Sequence, residues 1–253
     1  MSDELLAYVN GNYLPRREAS LPIMDRGLLF GDSVYEVIPV YGGHPFRVEH
    51  HLARLDRSLA AIRMQNPLTQ AEWHGVFERL AEQLPDEDHS LYLQVTRGDY
   101  PVRKHPIPAE VHPNVIAFAA PNPSHDPAEI ARGIGVITVD DIRWHQCNIK
   151  ATTLLANVLA RAQAEEEGAD EAILIRDGQA MEGSASNLFI VRDGLLITPP
   201  DSNELLPGVT RDLVLELAED DGIPFAQASI SIGDLEQADE IWLTSSTREV
   251  GAV

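Results

Sequence analysis

The stretch around which the chain is organised reads Asp140-Asp-Ile-Arg-Trp-His-Gln-Cys-Asn-Ile-Lys150. It lies between a predicted strand, 135–139, and a predicted helix, 152–167. It ends in one of only two lysines, whereas 17 of the 19 basic residues are arginine. An amine can lose its proton and attack a carbonyl to form a Schiff base, which a guanidinium cannot do. Two interpretations of Lys150 stay open: a residue retained for its chemistry, or one that escaped a drift in composition.

The composition is that of a globular protein, with 44% hydrophobic and 23% charged residues in 253. This length suffices for one large domain or two smaller ones, with a core and a pocket. No apolar run approaches the roughly 20 residues of a membrane span, and the first residues lack the pattern of a signal peptide. We therefore expect a cytoplasmic protein with no membrane partner.

Charge and cysteine content exclude further classes of function. The formal net charge is -21, which argues against nucleic acid or an anionic membrane as a partner. The single cysteine, Cys147, excludes an internal disulfide framework and a cysteine-rich zinc site. We expect neither nucleic acid nor a metal to bind.

Periodicity predicts a mixed α+β fold in two halves. Leucines at 52, 55 and 59 recur at helical spacing, and Thr69 with Glu72 forms the capping-box signature of a second helix. Several hairpins, without strict alternation of strand and helix, argue against a doubly wound sheet. The segment 120–127, rich in proline and polar turn formers, predicts a linker. It would separate a smaller N-terminal α/β domain, 1–119, from a C-terminal domain, 128–253.

Three basic residues, Arg103, Lys104 and His105, follow one another in a loop of this acidic chain. We call 103–105 the basic loop. Arginine can hold a carboxylate or phosphate through two hydrogen bonds, so the loop is a candidate anion site. The alternative is an exposed loop that balances local acidic residues.

The second half contains further candidate binding residues. Gly208-Val-Thr-Arg211 opens a predicted helix, where backbone N–H groups and the Thr210 hydroxyl favour a phosphate. Ser245 and Ser246 follow a predicted strand and could add donors. Glu182 is surrounded by small residues that would let a flat ligand approach. A reactive lysine, donors for a phosphate and a lone carboxylate are the groups that pyridoxal phosphate requires.

Read together, these motifs resemble the fold type IV pyridoxal phosphate-dependent aminotransferases, and within that family the D-amino-acid transaminase branch. The resemblance begins near residue 8, and its motifs are specific as an ordered set although each is weak alone. They are Asp25-Arg-Gly with Phe30-Gly-Asp-Ser-Val-Tyr-Glu-Val37, His51-Leu-Ala-Arg-Leu55, Gln94-Val-Thr-Arg-Gly98, Asp141-Ile-Arg-Trp144 with Ile149-Lys150, Glu182-Gly-Ser-Ala-Ser-Asn-Leu-Phe189, Leu206-Pro-Gly-Val-Thr-Arg211 and Thr244-Ser-Ser-Thr247. It implies a two-domain, mixed α/β enzyme.

The resemblance also implies roles for the cofactor-binding residues. Lys150 would be the Schiff-base lysine and the proton shuttle, Glu182 would face the pyridine nitrogen, and Leu206 would support the ring. The phosphate would be held by Arg54, Val209, Thr210, Ser245 and Ser246. Read without the resemblance, Arg54 is a solvated neighbour of an apolar helix stripe.

The substrate carboxylate would be bound by Tyr35, Arg103 and His105, with the last two contributed by the neighbouring subunit of a homodimer. From the residues alone, Tyr35 is instead a half-buried strand aromatic. The basic loop also follows its strand at a slightly different spacing from the family pattern. Arg143, Trp144 and Cys147 are interpreted as structural neighbours of the lysine.

The implied reaction is transamination between a D-amino acid, such as D-alanine or D-glutamate, and a 2-oxo acid, such as 2-oxoglutarate or pyruvate. Aminodeoxychorismate lyase and L-branched-chain amino-acid aminotransferase are the alternatives that share the cofactor. A non-catalytic pyridoxal phosphate carrier is a third. Arg103 and His105 favour a small α-carboxylate substrate and so favour the transaminase.

Overall fold

The computed structural model describes residues 5–85, 87–110, 112–122 and 127–253. Within these ranges the chain forms two compact units. The first takes the chain up to residue 122 together with 149–153, and the second takes 127–148 and 154–253. Residues 123–126 of the predicted linker lie outside the described ranges, and Ala120 and Pro121 continue a strand. The predicted domain boundaries stay a prediction.

The first unit contains a six-stranded sheet with three helices. The strands lie in the order β2-β1-β6-β5-β3-β4, and every neighbouring pair is antiparallel. The strands are β1 (Leu6–Val9), β2 (Asn12–Pro15), β3 (Ser33–Tyr41), β4 (His44–Pro45), β5 (His89–Thr96) and β6 (Asn114–Pro121), and the helices are α1 (Arg26–Phe30), α2 (Val48–Ala61) and α3 (Gln70–Ala81).

Side-chain alternation along β3 and β5 gives the sheet two different faces. Leu91 and Leu93 are fully buried in one core with Leu55 of α2 and Trp73 of α3. Each such leucine contributes roughly 1.5–3 kcal/mol by leaving water. Between the two leucines, Tyr92 points to the opposite face and is only half-buried. One face therefore packs against helices and the other carries half-buried aromatic side chains.

The second unit contains two sheets. The five-stranded sheet has the order β12-β11-β10-β14-β15 and the four-stranded sheet the order β13-β9-β8-β7. The strands are β7 (Val136–Asp140), β8 (Glu171–Arg176), β9 (Gln179–Gly183), β10 (Asn187–Arg192), β11 (Leu195–Thr198), β12 (Phe225–Gln227), β13 (Ile230–Ser231), β14 (Glu240–Ser245) and β15 (Glu249–Ala252), and the helices are α4 (Pro127–Arg132), α5 (Leu155–Glu166), α6 (Val209–Asp220) and α7 (Ile232–Glu236). Pairs β7-β8 and β11-β12 are parallel.

The prediction of a mixed α+β fold is confirmed. Thr69 caps α3 with the predicted capping box to Glu72. The predicted turn at Asp177-Gly178 has positive φ at both residues, 50° and 76°, as a tight hairpin turn requires. The predicted helix start at Thr152 is wrong, because residues 149–153 run beside β3 and α5 begins only at Leu155. Helix α1 has no counterpart among the predicted elements.

In the described ranges, the structure has no helix that is both long enough and apolar enough to cross a membrane.

Candidate active site

The backbone around Lys150 is fixed against β3 of the first unit. The Tyr35 N–H donates to the Lys150 carbonyl at 3.0 Å, and the Thr152 N–H donates to the Ser33 carbonyl at 3.1 Å. On the other side, the Lys150 N–H donates to Oγ of Ser58 at 3.2 Å. The lysine therefore extends from a backbone held at both edges, although the chain reaches it from the second unit.

The Lys150 amine lies on the aromatic face of the sheet. Its Nζ is 4.3 Å from the ring centroid of Tyr35. The Tyr35 ring stacks on Tyr92 at 5.8 Å, and Tyr92 stacks on Phe118 at 5.0 Å. Burial raises the pKa of Tyr92 to about 12, so its phenol stays protonated and donates to Oε1 of Gln94 at 3.0 Å. Lys150 and Tyr35, the predicted reactive amine and a predicted substrate residue, are thus in contact.

Arg54 is buried in an ion pair on the helix-covered face of the sheet. It is 3% exposed, so its interpretation as a solvated neighbour is wrong. Its Nε and Nη2 each donate to one oxygen of Glu36, both at 2.7 Å, and Nδ1 of His51 lies 2.8 Å from the same carboxylate. Because the two oxygens of the Glu36 carboxylate accept hydrogen bonds from two nitrogens of Arg54, the orientation of the guanidinium is fixed.

The electrostatics of this cluster follow from burial and pairing. Burial opposes ionisation of Glu36, but the Arg54 charge and the hydrogen bonds from Arg54 and His51 outweigh it and lower the pKa of Glu36 to about 2. For His51, burial is the largest influence and lowers its pKa despite the contact with Glu36. The cluster is therefore a carboxylate, a guanidinium and a neutral imidazole.

The basic loop lies against α1. The Arg103 guanidinium carbon is 4.9 Å from the ring centroid of Phe30, and the His105 ring is 5.3 Å from the same ring. Both basic side chains are exposed. Tyr35 contacts Lys150 and Tyr92, whereas Arg103 and His105 contact Phe30. Within one chain, these contacts divide the three predicted carboxylate-binding residues into two groups.

In the second unit, Glu182 is the centre of a buried polar cluster. It lies in β9 and is 4% exposed. Arg143 Nη1 donates to its Oε1. Its other oxygen, Oε2, accepts from the Leu206 N–H and from Nδ2 of Asn187, each at 3.0 Å. The predicted role of Leu206 involves its side chain, but the contact that the structure shows comes from its backbone.

Arg143 belongs to this cluster, whereas the sequence predicted only that it is a structural neighbour of the lysine. Asp141 accepts from Nε and Nη2 of Arg143, both at 2.9 Å, and also pairs with Arg176 at 2.8 Å. Burial raises the pKa of Glu182, and the Arg143 charge is the main influence that opposes the rise. The spacing of Asp141 and Arg143, two residues apart in one motif, could have indicated this contact. A carboxylate at that spacing can orient the guanidinium toward a third group.

The start of α6 provides the predicted phosphate donors. Gly208 precedes the helix, and the N–H groups of Val209 and Thr210 open it, where a helix has no internal acceptors for its backbone. A Cβ on Gly208 would lie 1.8 Å from Oδ1 of Asn187. The turn therefore requires glycine because a polar side chain packs directly against its backbone.

Hydroxyl groups lie at the end of β14 and fit an anionic ligand. Oγ1 of Thr244 is buried and has no hydrogen-bond partner among the described residues. Ser245 ends the strand and Ser246 lies in the turn that follows, where Oγ of Ser245 accepts from the Arg248 N–H at 3.2 Å. A buried hydroxyl without a partner is costly. This donor set, with the α6 N-terminus, has the chemistry that a phosphate needs.

The predicted residues thus fall into two groups, each held by its own unit. The first unit's sheet carries Lys150 and Tyr35 on its aromatic face and Arg54 on the face that the helices cover. Glu182 and Leu206 hydrogen-bond to one another, and the remaining predicted cofactor residues lie at the start of α6 and the end of β14. The first group supplies an amine, and the second supplies a carboxylate and donors suited to a phosphate, which are the groups that pyridoxal phosphate requires.

Comparison with known proteins agrees with this donor set. The sequence pattern of the family Amino-transferase class IV matches residues 33–253. The D-alanine aminotransferase of Bacillus licheniformis is 40% identical over 241 residues, covering 95% of this chain and 84% of that protein.

Solved structures similar to this chain include enzymes of two reaction classes. The branched-chain aminotransferase from Thermoproteus uzoniensis, solved with norvaline, has a TM-score of 0.83 at 27% identity, covering 98% of this chain and 86% of that one. The 4-amino-4-deoxychorismate lyase from Pseudomonas aeruginosa has a TM-score of 0.82 at 30% identity, covering 98% and 90%. Because the family pattern spans most of the sequence and the similarity to D-alanine aminotransferase nearly all of it, the chain belongs to the class IV aminotransferases, which are pyridoxal phosphate-dependent enzymes.

Proposed function

We propose that the protein transfers the amino group of a D-amino acid, such as D-alanine or D-glutamate, to a 2-oxo acid, such as 2-oxoglutarate or pyruvate. The structural observation that carries the proposal is the contact between the Lys150 amine and the Tyr35 ring. It brings a candidate proton-transfer group next to a candidate substrate-binding group. The similarity to D-alanine aminotransferase over 95% of the chain supports the choice of a D-amino acid.

Lys150 is the catalytic residue in this proposal. Its Nζ would hold pyridoxal phosphate through the cofactor aldehyde and would be freed by an incoming amino acid. The freed Nζ would then accept the proton from the substrate Cα and deliver it to the carbon that receives the amino group, which a neutral amine held at the reacting carbon can do. When bound, pyridoxal phosphate withdraws electrons from the substrate Cα into its protonated ring.

The other cofactor-binding residues hold the ring and the phosphate. Glu182 would keep the ring nitrogen protonated, and Leu206 would support the ring. The buried position of Glu182 strengthens the effect of its charge, since few water molecules screen it. The phosphate would be held by Arg54, Val209, Thr210, Ser245 and Ser246, with Val209 acting through its backbone N–H.

The substrate α-carboxylate is bound by Tyr35, Arg103 and His105. In one chain the two basic side chains are exposed and lie on Phe30, so we propose that they reach the site of a second copy in a homodimer. Exposed apolar side chains support such an interface in each unit: Leu28 is 69% exposed in the first, and Leu155 and Val158 on α5 are 71% and 59% exposed in the second. The one cysteine is free, which is compatible with the cytoplasm.

Substrate specificity is tested by a panel of amino acids with the purified protein. D-Alanine and 2-oxoglutarate should give D-glutamate, and Lys150→Ala should abolish both turnover and the absorbance of the lysine-bound cofactor. Turnover of L-leucine without D-alanine would instead indicate a branched-chain aminotransferase. Release of pyruvate from aminodeoxychorismate would indicate the lyase, and cofactor binding without any turnover would indicate a carrier.

The arrangement of subunits has a separate test that uses the inactive Lys150→Ala and the binding-impaired Arg103→Ala, assayed at substrate well below the KM of Arg103→Ala. Lys150→Ala keeps a functional basic loop, and Arg103→Ala keeps a functional lysine. If Arg103 acts on the neighbouring copy, a mixed dimer has one intact site, and an equimolar mixture after subunit exchange should recover about a quarter of wild-type turnover. If Arg103 acts within its own chain, the mixture should be no more active than the two variants assayed separately, and the proposed exchange of loops would be wrong.

A further inference from the structure

We propose that Arg26 is a positioning residue that sets the specificity-determining basic loop in place. Arg26 is the first residue of α1 and is 5% exposed. Its Nη1 donates to the Lys104 carbonyl at 2.7 Å, and its Nη2 donates to the His105 carbonyl at 3.2 Å. One buried guanidinium thus binds two consecutive carbonyls of a loop whose side chains are exposed. The inference rests on the proposed role of Arg103 and His105 in carboxylate binding.

Arg26 is itself held by Asp32, the residue that precedes β3. Its Nε donates to Oδ2 of Asp32 at 2.9 Å. Burial opposes ionisation of Asp32, but hydrogen bonds from Arg97 and Arg26 outweigh it and lower its pKa, so Asp32 remains a carboxylate. The preceding residue, Asp25, caps α1 and accepts from Thr96 of β5 at 2.5 Å. The Arg26 guanidinium, which donates both hydrogen bonds to the loop, is therefore fixed in position.

Phe30, at the other end of α1, connects the guanidinium to the side chains of the loop. The Arg26 guanidinium carbon lies 4.9 Å from the Phe30 ring centroid, the same distance as that of Arg103. His105 lies 5.3 Å from the same ring. Arg26 thus fixes the backbone of the loop, and Phe30 provides the surface on which its two carboxylate-binding side chains rest.

Loss of the two hydrogen bonds should affect substrate binding more than the chemical step. Arg103 and His105 are proposed to touch the substrate carboxylate, whereas the proton transfer is assigned to Lys150. Lysine at position 26 could keep its charge near Asp32 but lacks the planar fork that reaches two carbonyls. A looser loop would bind the carboxylates of both the amino acid and the oxo acid less well.

Arg97 is a matched control in the same cluster. It is 3% exposed and donates from Nε to the same Asp32 oxygen at 2.7 Å. Its Nη2 and Nη1 donate to the carbonyls of Ile62 and Arg63, at 2.6 and 3.4 Å. Arg97→Lys therefore changes the same kind of hydrogen bonds, one to Asp32 and two to backbone carbonyls. These carbonyls lie outside the basic loop.

The experiment compares Arg26→Lys, Arg97→Lys and Arg103→Ala in the holoenzyme. For Arg26→Lys we expect the KM of D-alanine and of 2-oxoglutarate to rise about tenfold while kcat changes less than about threefold, the effect of one or two lost hydrogen bonds. Hydrogen exchange of the backbone amides in 102–107 should become faster. Arg97→Lys should change neither the KM values nor exchange in that segment.

Equal effects of Arg26→Lys and Arg97→Lys on KM, or unchanged exchange in 102–107 with Arg26→Lys, would overturn the positioning role. If Arg26→Lys does not fold, Arg26→Gln, which keeps one donor, takes its place with the same expected pattern. An unchanged KM in Arg103→Ala would contradict the proposed carboxylate site. The exchange measurement would still decide whether Arg26 holds the loop, so the two failures are distinguishable.

Discussion

Arg143 donates a hydrogen bond to Glu182 from one edge of its guanidinium while Asp141 holds another edge of the same group. Glu182 is buried, and burial alone would favour its neutral form. The arginine supplies a positive charge at the carboxylate, and its own direction is fixed by Asp141. An ionised Glu182 is the form that can keep a cofactor ring nitrogen protonated.

Arg143→Gln should therefore destabilise the protein and alter its pH profile. Removal of one partner from a buried ion pair typically costs about 3–5 kcal/mol of unfolding free energy. Without the positive charge, the pKa of Glu182 should rise further, so the acid limb of kcat/KM should move to higher pH. Denaturant unfolding and a pH–rate profile measure the two effects.

Arg192→Gln is the control for this change. Arg192 pairs with Asp234 at 2.8 Å, but both side chains are more than a third exposed, at 38% and 35%. We expect a much smaller loss of stability and no shift of the acid limb. An unmoved acid limb in Arg143→Gln would contradict the influence of Arg143 on Glu182.

Gly208→Ala should weaken cofactor binding through Asn187. The added Cβ would lie 1.8 Å from Oδ1 of Asn187, whose Nδ2 donates to Glu182 at 3.0 Å and to the Leu206 carbonyl at 2.8 Å. Asn187 must move, which should cost about 1–3 kcal/mol of stability and disturb Glu182. Titration of the apoenzyme with pyridoxal phosphate measures the affinity.

The matched substitution is Gly75→Ala in α3. A Cβ at Gly75 meets no atom within 4 Å, so the change should raise stability by about 1 kcal/mol through helix propensity. Cofactor affinity should stay at the wild-type value. If Gly208→Ala binds the cofactor as tightly as wild type does, the close packing at Gly208 has no part in the site.

Arg54→Lys and Glu36→Gln should separate phosphate binding from structural pairing. Each breaks the same buried ion pair, and each should lose stability. If Arg54 also holds the phosphate, Arg54→Lys should weaken pyridoxal phosphate binding at least about tenfold, because lysine cannot hold it through two parallel hydrogen bonds. Glu36→Gln, which keeps the guanidinium, should bind it nearly as well as wild type.

Pyridoxal, which lacks the phosphate, provides the internal control for these titrations. Arg54→Lys should leave its affinity unchanged. An equal loss of affinity for pyridoxal and pyridoxal phosphate would make Arg54 a purely structural partner of Glu36.

His51 and Glu36 should make the protein less stable in acid. The pKa of His51 is lower in the folded protein than its ordinary value of 6.5. Its contribution is therefore complete above pH 6.5 and is lost as pH falls through the folded pKa. Glu36, with a pKa lowered from 4.5 to about 2, adds a further loss below pH 4.5.

His51→Asn should isolate the histidine part of this loss. The variant should lose less unfolding free energy between pH 7 and pH 5 than wild type, as measured by urea denaturation. His74→Asn, at an exposed histidine paired with Glu49, should keep the wild-type dependence. Identical losses in wild type and His51→Asn would exclude His51 as a source of the acid sensitivity.

The sequence predicted the family and the mixed fold because both depend on local patterns. The ordered motifs around Lys150, Glu182 and Gly208 are short segments, and the capping box at Thr69 and the hairpin at Asp177 are set by neighbouring residues. Helix α1 was missed because its five residues carry no period long enough to detect. The motifs, the capping box and the hairpin turn could be predicted without knowledge of contacts between residues that are distant in the sequence.

The sequence by itself determined that the chain is a class IV aminotransferase of mixed α+β fold, with Lys150 as the candidate reactive amine. Only the tertiary structure decided which residues orient the candidate site residues. Arg143 reaches Glu182 across 39 positions, and Arg26 reaches Lys104 across 78. Lys150 itself packs with the first unit because its backbone bonds to β3. Such contacts form only when folding buries a charged side chain next to its partner. The number of residues between the two partners in the sequence does not indicate that they meet.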